Sequence, residues 1–246
     1  QMCIRDRSVY DNTGRVLLSC GTVLTDEYID KLYDRGLPGI YIEDKLAEDI
    51  EIEEAISEEL RNEGAEALRN GDVDAAMGVG RRIVDEIIQN PRVTLDLIDL
   101  RSYDDYTYRH SVNVAVISTV IGINMQLNRL ALDELSIAAI LHDIGKRRID
   151  PKIINKKGKL TPEEYTEVKH HSEYGYEMVK SRIDLSAKIK NAILLHHENE
   201  DGSGYPKGLK GNQIFIYAKI IHVADVFDAL TAKRPYKKAY AQSEAA

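Results

Sequence analysis

Cysteine is scarce in this chain: Cys3 and Cys20 are the only two among 246 residues, and no C-x-x-C spacing joins them. Two are too few for a disulfide framework, so a reducing compartment, the cytoplasm, is expected. Basic charge is also short. The 33 Lys and Arg stand against 41 Asp and Glu, a formal net charge of −8, which argues against a binder of nucleic acid polymers or of anionic membranes. A small phosphorylated substrate stays open, because local cations can reverse the field inside a cleft. Long apolar runs are missing as well. The most apolar stretch, Val112 to Met125, is broken by Asn113, Ser118 and Asn124. It falls short of the ~20 residues that a bilayer requires, so no membrane span is expected. The opening Gln1-Met2-Cys3-Ile4-Arg5-Asp6-Arg7 lacks the apolar core of a signal peptide and reads as a fragment edge, outside fold reasoning.

What remains is a globular composition, 43% hydrophobic and 30% charged, long enough for one large domain or two small ones. Val9 to Leu18 reads as two short strands around a turn at Asn12-Thr13-Gly14. Thr25 caps a helix carrying Ile29, Leu32 and Tyr33, Gly36 closes it, and residues 39–43 read as a returning strand. Residues 1–45 are therefore expected as a small α+β unit with a docking or regulatory role. Residues 46–92 read as a helical connector. One face runs through Ile52, Ala55, Ile56, Glu59 and Leu60; after a break at Gly71-Asp72, a second runs from Val73 to Ile88. This stretch and the N-terminal unit are the expected surfaces for a homodimer or a signalling partner. From Val93 onward strand signals are almost absent, and helix follows helix: around Val112–Ile121, Leu130–Leu141, from Thr161 towards His170, Ser186–His197 and Ile214–Leu230. Thr161, Pro162 and Glu164 form a capping box with proline at the first helical position. The chain is expected to be mainly α, with its third section at 93–246.

Chemistry concentrates in that third section. Leu141-His142-Asp143-Ile144-Gly145-Lys146 ends an apolar helix with a histidine and a carboxylate, an expensive pair to bury unless a cation compensates both. Taken alone, it could be an ordinary hydrogen-bonded pair at a helix C-terminus. Gly145 is read as letting the chain leave the helix without strain, and Lys146 as a cation for phosphate oxygens. His110, His171 and the pair His196-His197 also fall at helix ends or on apolar faces, and Asp225 sits inside an apolar helix. Each has a bland explanation by itself; a shared metal centre explains all of them, each ligand projected inward from a different helix. Imidazole and carboxylate without thiolate favour Fe or Mn over structural Zn. Seven ligands (His110, His142, Asp143, His171, His196, His197 and Asp225) are too many for one ion that keeps an open position. Two ions bridged by Asp143 and a hydroxide fit better.

The ordered set His110, His142-Asp143-Ile144-Gly145-Lys146, His171-Ser172-Glu173-Tyr174-Gly175, His196-His197-Glu198, Gly204-Tyr205-Pro206 and Asp225 closely resembles the HD-GYP family of cyclic di-GMP phosphodiesterases. The resemblance covers roughly residues 93–240 and implies an all-α bundle of the HD-domain superfamily. It carries the metal ligands onto the seven residues above, with Asp143 and Lys146 as the catalytic pair. It assigns substrate contacts to Lys146, Gly204, Tyr205, Pro206, Arg234 and Lys237. It implies a cyclic dinucleotide as substrate, a linear dinucleotide as product, and a further cut to the mononucleotide as an extension of that activity. Tyr106 stands where some members place a Glu that holds a third metal, so two ions are expected. Glu198-Asn199-Glu200-Asp201 lacks the basic and aromatic residues that often follow the Glu, and the C-terminus is expected to be shortened. The alternatives are an HD-superfamily hydrolase of another cyclic nucleotide and a receptor that binds the dinucleotide without cutting it.

Overall fold

The structure, a computed structural model, describes residues 9–10, 16–34, 42, 55–89, 106–156 and 158–231. The chain divides into two compact units, one of residues 1–55, 92–106 and 230–246 and one of residues 56–91 and 107–229. In the first, β1 (Val9–Tyr10) and β2 (Val16–Leu18) pair antiparallel, Val9 against Leu18 and Tyr10 against Val16, with an irregular register between the two. Helix α1 (Asp26–Asp34) starts where Thr25 was expected to cap it: Thr25 Oγ1 accepts the Tyr28 amide at 3.3 Å. The expected turn at residues 12–14, Gly36, and all of the expected strand at 39–43 except Ile42 lie outside the described residues.

The second unit is helical. Helix α2 (Glu58–Asn70) begins later than the apolar pattern suggested. Ser57 is its N-cap, its hydroxyl accepting from the Leu60 amide, so Ala55 and Ile56 precede the helix. A serine followed by two acids is the stronger start signal, because the side-chain oxygen satisfies an amide that periodicity ignores. Gly71 at φ 73° ends α2 in the left-handed region that glycine adopts without strain, and α3 (Val73–Gln89) follows. Helix α4 (Tyr106–Asn124) and helix α5 (Arg129–Leu141) come next, α5 capped by the Asn128 side chain on the Ala131 amide.

A 3₁₀ turn (Ile144–Arg148), α6 (Pro151–Ile154), α7 (Pro162–Lys169) and α8 (His171–Val179) lead on to α9 (Ala187–Leu195) and α10 (Ile216–Thr231). The capping box expected at Thr161 and Glu164 is present in full. The fold is mainly α. Among the described residues, no helix is long and apolar enough to cross a membrane.

Helix α5 is the spine of this unit. It packs against α3 on one side and α9 on another, while α8 lies against both α9 and the 3₁₀ turn. At the α3–α5 crossing the backbones come close: a Cβ on Gly80 would lie 3.3 Å from Ile137, and Ser136 Oγ donates to the Gly80 carbonyl at 2.8 Å. Leu60, Val79, Ile83, Leu135, Ile140, Ile193 and Ile221 are buried at this core. Burial of that kind contributes on the order of 1.5–3 kcal/mol for each large aliphatic side chain. The helices expected to act as a connector over 46–92 thus include α2 and α3, which share a unit with α5 and build part of its wall.

Candidate metal centre

The ends of α5, α7 and α9 meet in one buried place. His142 follows α5, His171 follows α7 after one intervening residue, and His196 follows α9. In each, the ring Nδ1 donates to the carbonyl three residues earlier: His142 to Ala139 at 2.7 Å, His171 to Val168 at 2.6 Å and His196 to Ile193 at 2.7 Å. A helix end supplies such a carbonyl because its last C=O groups have no intrahelical donor. A carbonyl can only accept, so the proton sits on Nδ1, and Nε2 is left as a lone pair in all three rings.

Those lone pairs converge. His171 Nε2 lies 3.1 Å from His196 Nε2 and 3.1 Å from His197 Nε2. His142 Nε2 is fully buried and has no hydrogen-bond partner. The His171 and His196 lone pairs face one another and repel, and a buried acceptor without a donor, as at His142, is costly; a cation relieves both at once. The donor set therefore fits a metal, with the carbonyl partners fixing ring orientation as they do in known His-ligated sites.

Asp143 stands between two groups of ligands. Its Oδ2 lies 3.4 Å from His142 Nε2 and 3.8 Å from His110 Nε2, while its Oδ1 lies 3.3 Å from His171 Nε2. Oδ1 is buried without a hydrogen bond. Two triplets, His110/His142/Asp143 and His171/His196/His197, each hold ligand atoms within 4.8 Å of one another. Asp225, on α10, closes the set: its Oδ1 is 3.0 Å from His110 Nε2 and its Oδ2 is 3.9 Å from His197 Nδ1. All seven residues expected as ligands are brought together.

Electrostatics follow from this packing. Burial pushes His171 down to about 4 and His197 down to about 3, and it holds His196 well below the usual histidine range together with the neighbouring rings of His197, His142 and His171. Burial alone would also lower His110, but hydrogen bonds to Asp225 and Asp228 outweigh it and raise it to about 9. Burial would raise Asp143 and Asp225. The neighbouring His142 ring, the Lys146 ammonium and the His171 ring outweigh it at Asp143, and His110 outweighs it at Asp225, so both carboxylates are held below their ordinary range. Imidazoles held neutral beside ionised carboxylates are the ligand forms a divalent cation needs.

Lys146 is ion-paired with Asp143 Oδ2. Gly145 is required by proximity rather than by helix exit: a Cβ there would collide with the His171 carbonyl oxygen and the Gly175 amide nitrogen. The Gly204-Tyr205-Pro206 loop is fastened beneath His197. The Tyr205 amide donates to the His197 carbonyl at 3.1 Å, the Tyr205–Pro206 bond is cis, and the tyrosine ring stacks on the His197 ring with centroids 4.7 Å apart at 27°. Burial, with Tyr165, Asp143 and Asp225 nearby, pushes the Tyr205 phenol up and keeps it neutral. Arg234, Lys237 and the Tyr106 side chain lie outside the described residues.

Sequence reasoning assigned no role to Asp228, Asn113, Arg61 or Glu198. Asp228, one turn beyond Asp225 on α10, accepts from His110 Nδ1 at 2.6 Å and from Asn113 Nδ2 at 3.1 Å. Asn113 Oδ1 in turn accepts from Arg61 Nη1 of α2 at 2.9 Å, and all three of these residues are buried. Glu198 is buried and its carboxylate accepts the Lys207 and Leu209 amides at 2.7 and 2.8 Å, pinning the loop that carries Tyr205. The i, i+3 pairing of two acids in an apolar helix, Asp225 and Asp228, was the available signal.

The profile of the HD domain family matches residues 92–246. A cyclic di-GMP phosphodiesterase of Pseudomonas aeruginosa is 40% identical over 167 residues, which are 66% of this chain and 40% of that protein. A 3'3'-cGAMP-specific phosphodiesterase of Vibrio cholerae is 37% identical over 143 residues, 58% of this chain and 30% of that protein. The chain thus spans less than half the length of either relative. A solved HDG"Y"P protein from Bdellovibrio bacteriovorus shares the fold, with a TM-score of 0.65 at 20% identity over 99% of this chain and 89% of that one. Family profile and ordered motifs agree: the chain belongs to the HD domain family and, within it, to the HD-GYP group.

Proposed function

We propose that this chain is a metal-dependent phosphodiesterase that opens cyclic di-GMP to its linear dinucleotide, with a second cut to the mononucleotide as the extension of the same chemistry. The observation that carries the reading is Asp143, whose two oxygens face two separate histidine groups that include the unprotonated Nε2 atoms of His142, His171 and His196. Binding a dinucleotide needs no such cluster, whereas metal-assisted cutting of a phosphodiester uses one. His110, His142, Asp143, His171, His196, His197 and Asp225 would hold two divalent ions, Fe or Mn ahead of Zn given imidazole and carboxylate donors without thiolate. When bound, such ions supply Lewis acidity at the phosphoryl oxygens and lower the pKa of water.

The chain's own groups supply the rest. The histidine rings are locked by carbonyls, so they need no reorientation at the moment of reaction. Lys146, held at the site by Asp143, offers an ammonium to a phosphoryl oxygen gathering charge. The neutral Tyr205 phenol, stacked on His197, presents a ring and a donor to the nucleotide. Arg234 and Lys237 are proposed to hold the second phosphate. Residues 1–45 are proposed as a regulatory unit, with a homodimer or signalling partner engaged through it and the helices after it, and the cytoplasm as the compartment.

The test is to incubate Mn- or Fe-loaded protein with cyclic di-GMP and, separately, 3'3'-cGAMP, and to resolve products by chromatography beside Asp143→Ala. Linear dinucleotide from the wild type and none from the variant is expected. Binding without turnover contradicts the reading, as does turnover unaffected by the Asp143 change.

A further inference from the structure

The mouth of the site holds a group of side chains that the hydrolytic chemistry does not use. Tyr165 and Lys169 occupy i and i+4 of α7, one above the other on the same helix face. The Lys169 ammonium lies 4.7 Å from the Tyr165 ring centroid and 5.5 Å from that of Tyr205. Tyr205 in turn stacks on His197. A continuous line therefore runs from a metal-site histidine through Tyr205 and Lys169 to Tyr165.

Two features of this line suggest a ligand. Tyr165 is 53% exposed, although it is a large ring beside a buried site. Among the described residues, no carboxylate pairs with Lys169, in a chain whose acids outnumber its bases. Its charge is steadied by two ring faces instead, which leaves the ammonium's donors for an incoming anion. The residues after His197, Glu198-Asn199-Glu200-Asp201, offer no ring beside Tyr205, and Tyr165 supplies a second, exposed ring across Lys169.

We propose that Tyr165 and Lys169 form the subsite that recognises the nucleotide itself. A purine base of the cyclic dinucleotide stacks on the exposed face of Tyr165, and the Lys169 ammonium holds the dinucleotide's anionic backbone between Tyr165 and Tyr205. The inference rests on the phosphodiesterase reading for its substrate class, but not for its geometry. Stacking of a base on an aromatic side chain is sequence-tolerant, so this subsite favours purine dinucleotides as a class. It sets affinity, not the rate of the bond-breaking step.

The experiment uses the full chain and two substrates, cyclic di-GMP and methyl p-nitrophenyl phosphate, a diester with no base. Tyr165→Ala and Lys169→Met are each expected to raise KM for cyclic di-GMP about tenfold with kcat little changed, as loss of one stacking or ion contact does. Turnover of the small diester stays at the wild-type level, and Tyr165→Phe restores the cyclic di-GMP KM. Calorimetric binding of cyclic di-GMP to EDTA-treated protein gives the readout that needs no catalysis, with the same tenfold weakening expected. Unchanged binding in both Tyr165→Ala and Lys169→Met overturns the subsite, as does an equal loss of small-diester turnover. Wild-type protein that binds cyclic di-GMP in a Tyr165-dependent way yet cuts neither substrate upholds the subsite and overturns the phosphodiesterase reading.

Discussion

At the scale of single residues, the site is a problem in lone pairs. Three histidines spend Nδ1 on helix-end carbonyls and direct Nε2 inward, and His110 does the same with a carboxylate, Asp228. Asp228→Asn removes the charge behind His110 while keeping its shape. Loss of such a supporting partner weakens metal affinity about 10–100-fold, so competition with a chelator should show weaker retention in this variant, while far-UV circular dichroism stays unchanged. Asp143→Ala should cut cyclic dinucleotide turnover more than about 100-fold. His142 and Asp143 were legible in the sequence because an acid and an imidazole ending an apolar helix invite a cation. Asp228 was legible only as a second acid one turn from Asp225; its role was not, because its partners Asn113 and Arg61 are remote in the chain and no periodicity links them. His222, whose Nδ1 donates to the His196 carbonyl at 2.8 Å, escaped for the same reason.

At the scale of elements, α2 is tied to the site's segments at both of its ends. Arg61 reaches Asn113 of α4 from the first turn of α2. At the other end, Arg147 of the 3₁₀ turn donates to the carbonyls of Leu68, Arg69 and Asn70, placing a guanidinium on the negative end of the helix. Arg147→Ala should lower unfolding free energy by about 1 kcal/mol, the worth of a helix-end cation with its hydrogen bonds, measurable by urea titration. Gly145→Ala should cost about 1–3 kcal/mol, typical of forced overpacking. It should also reduce bound metal, because the backbone it displaces belongs to His171, and Gly145 itself lies two residues from Asp143. The helices themselves were legible from apolar spacing and from caps such as Thr161. Their start points and partners were less so: Ser57 sets the start of α2 where the apolar face had suggested an earlier one, and a 3.6-residue pattern cannot say that α3 lies on α5.

At the scale of the whole molecule, protons and metal compete for one set of groups. In metal-free protein, His171 and His197 titrate near 4 and 3 when folded, against an ordinary histidine value near 6.5. The unfolded chain binds those protons first, so stability falls as pH drops from about 6.5 towards 4. His110 has the opposite sign. Raised to about 9, it holds its proton longer in the folded state, contributes fully below about 6.5, and its contribution is lost as pH rises through 9. Thermal unfolding in EDTA should therefore peak between these flanks. Adding Mn should raise the transition temperature most on the alkaline side, where His110 gives up its proton to become a ligand.

The central claim is that Asp143 joins two ion sites, and anomalous diffraction from a Mn-loaded crystal tests it directly. Two peaks about 3.5–4 Å apart are expected, flanking the Asp143 carboxylate, one beside His110 and His142 and the other beside His171, His196 and His197. A single peak bound by one histidine group alone, or no peak within bonding reach of Asp143, would contradict it.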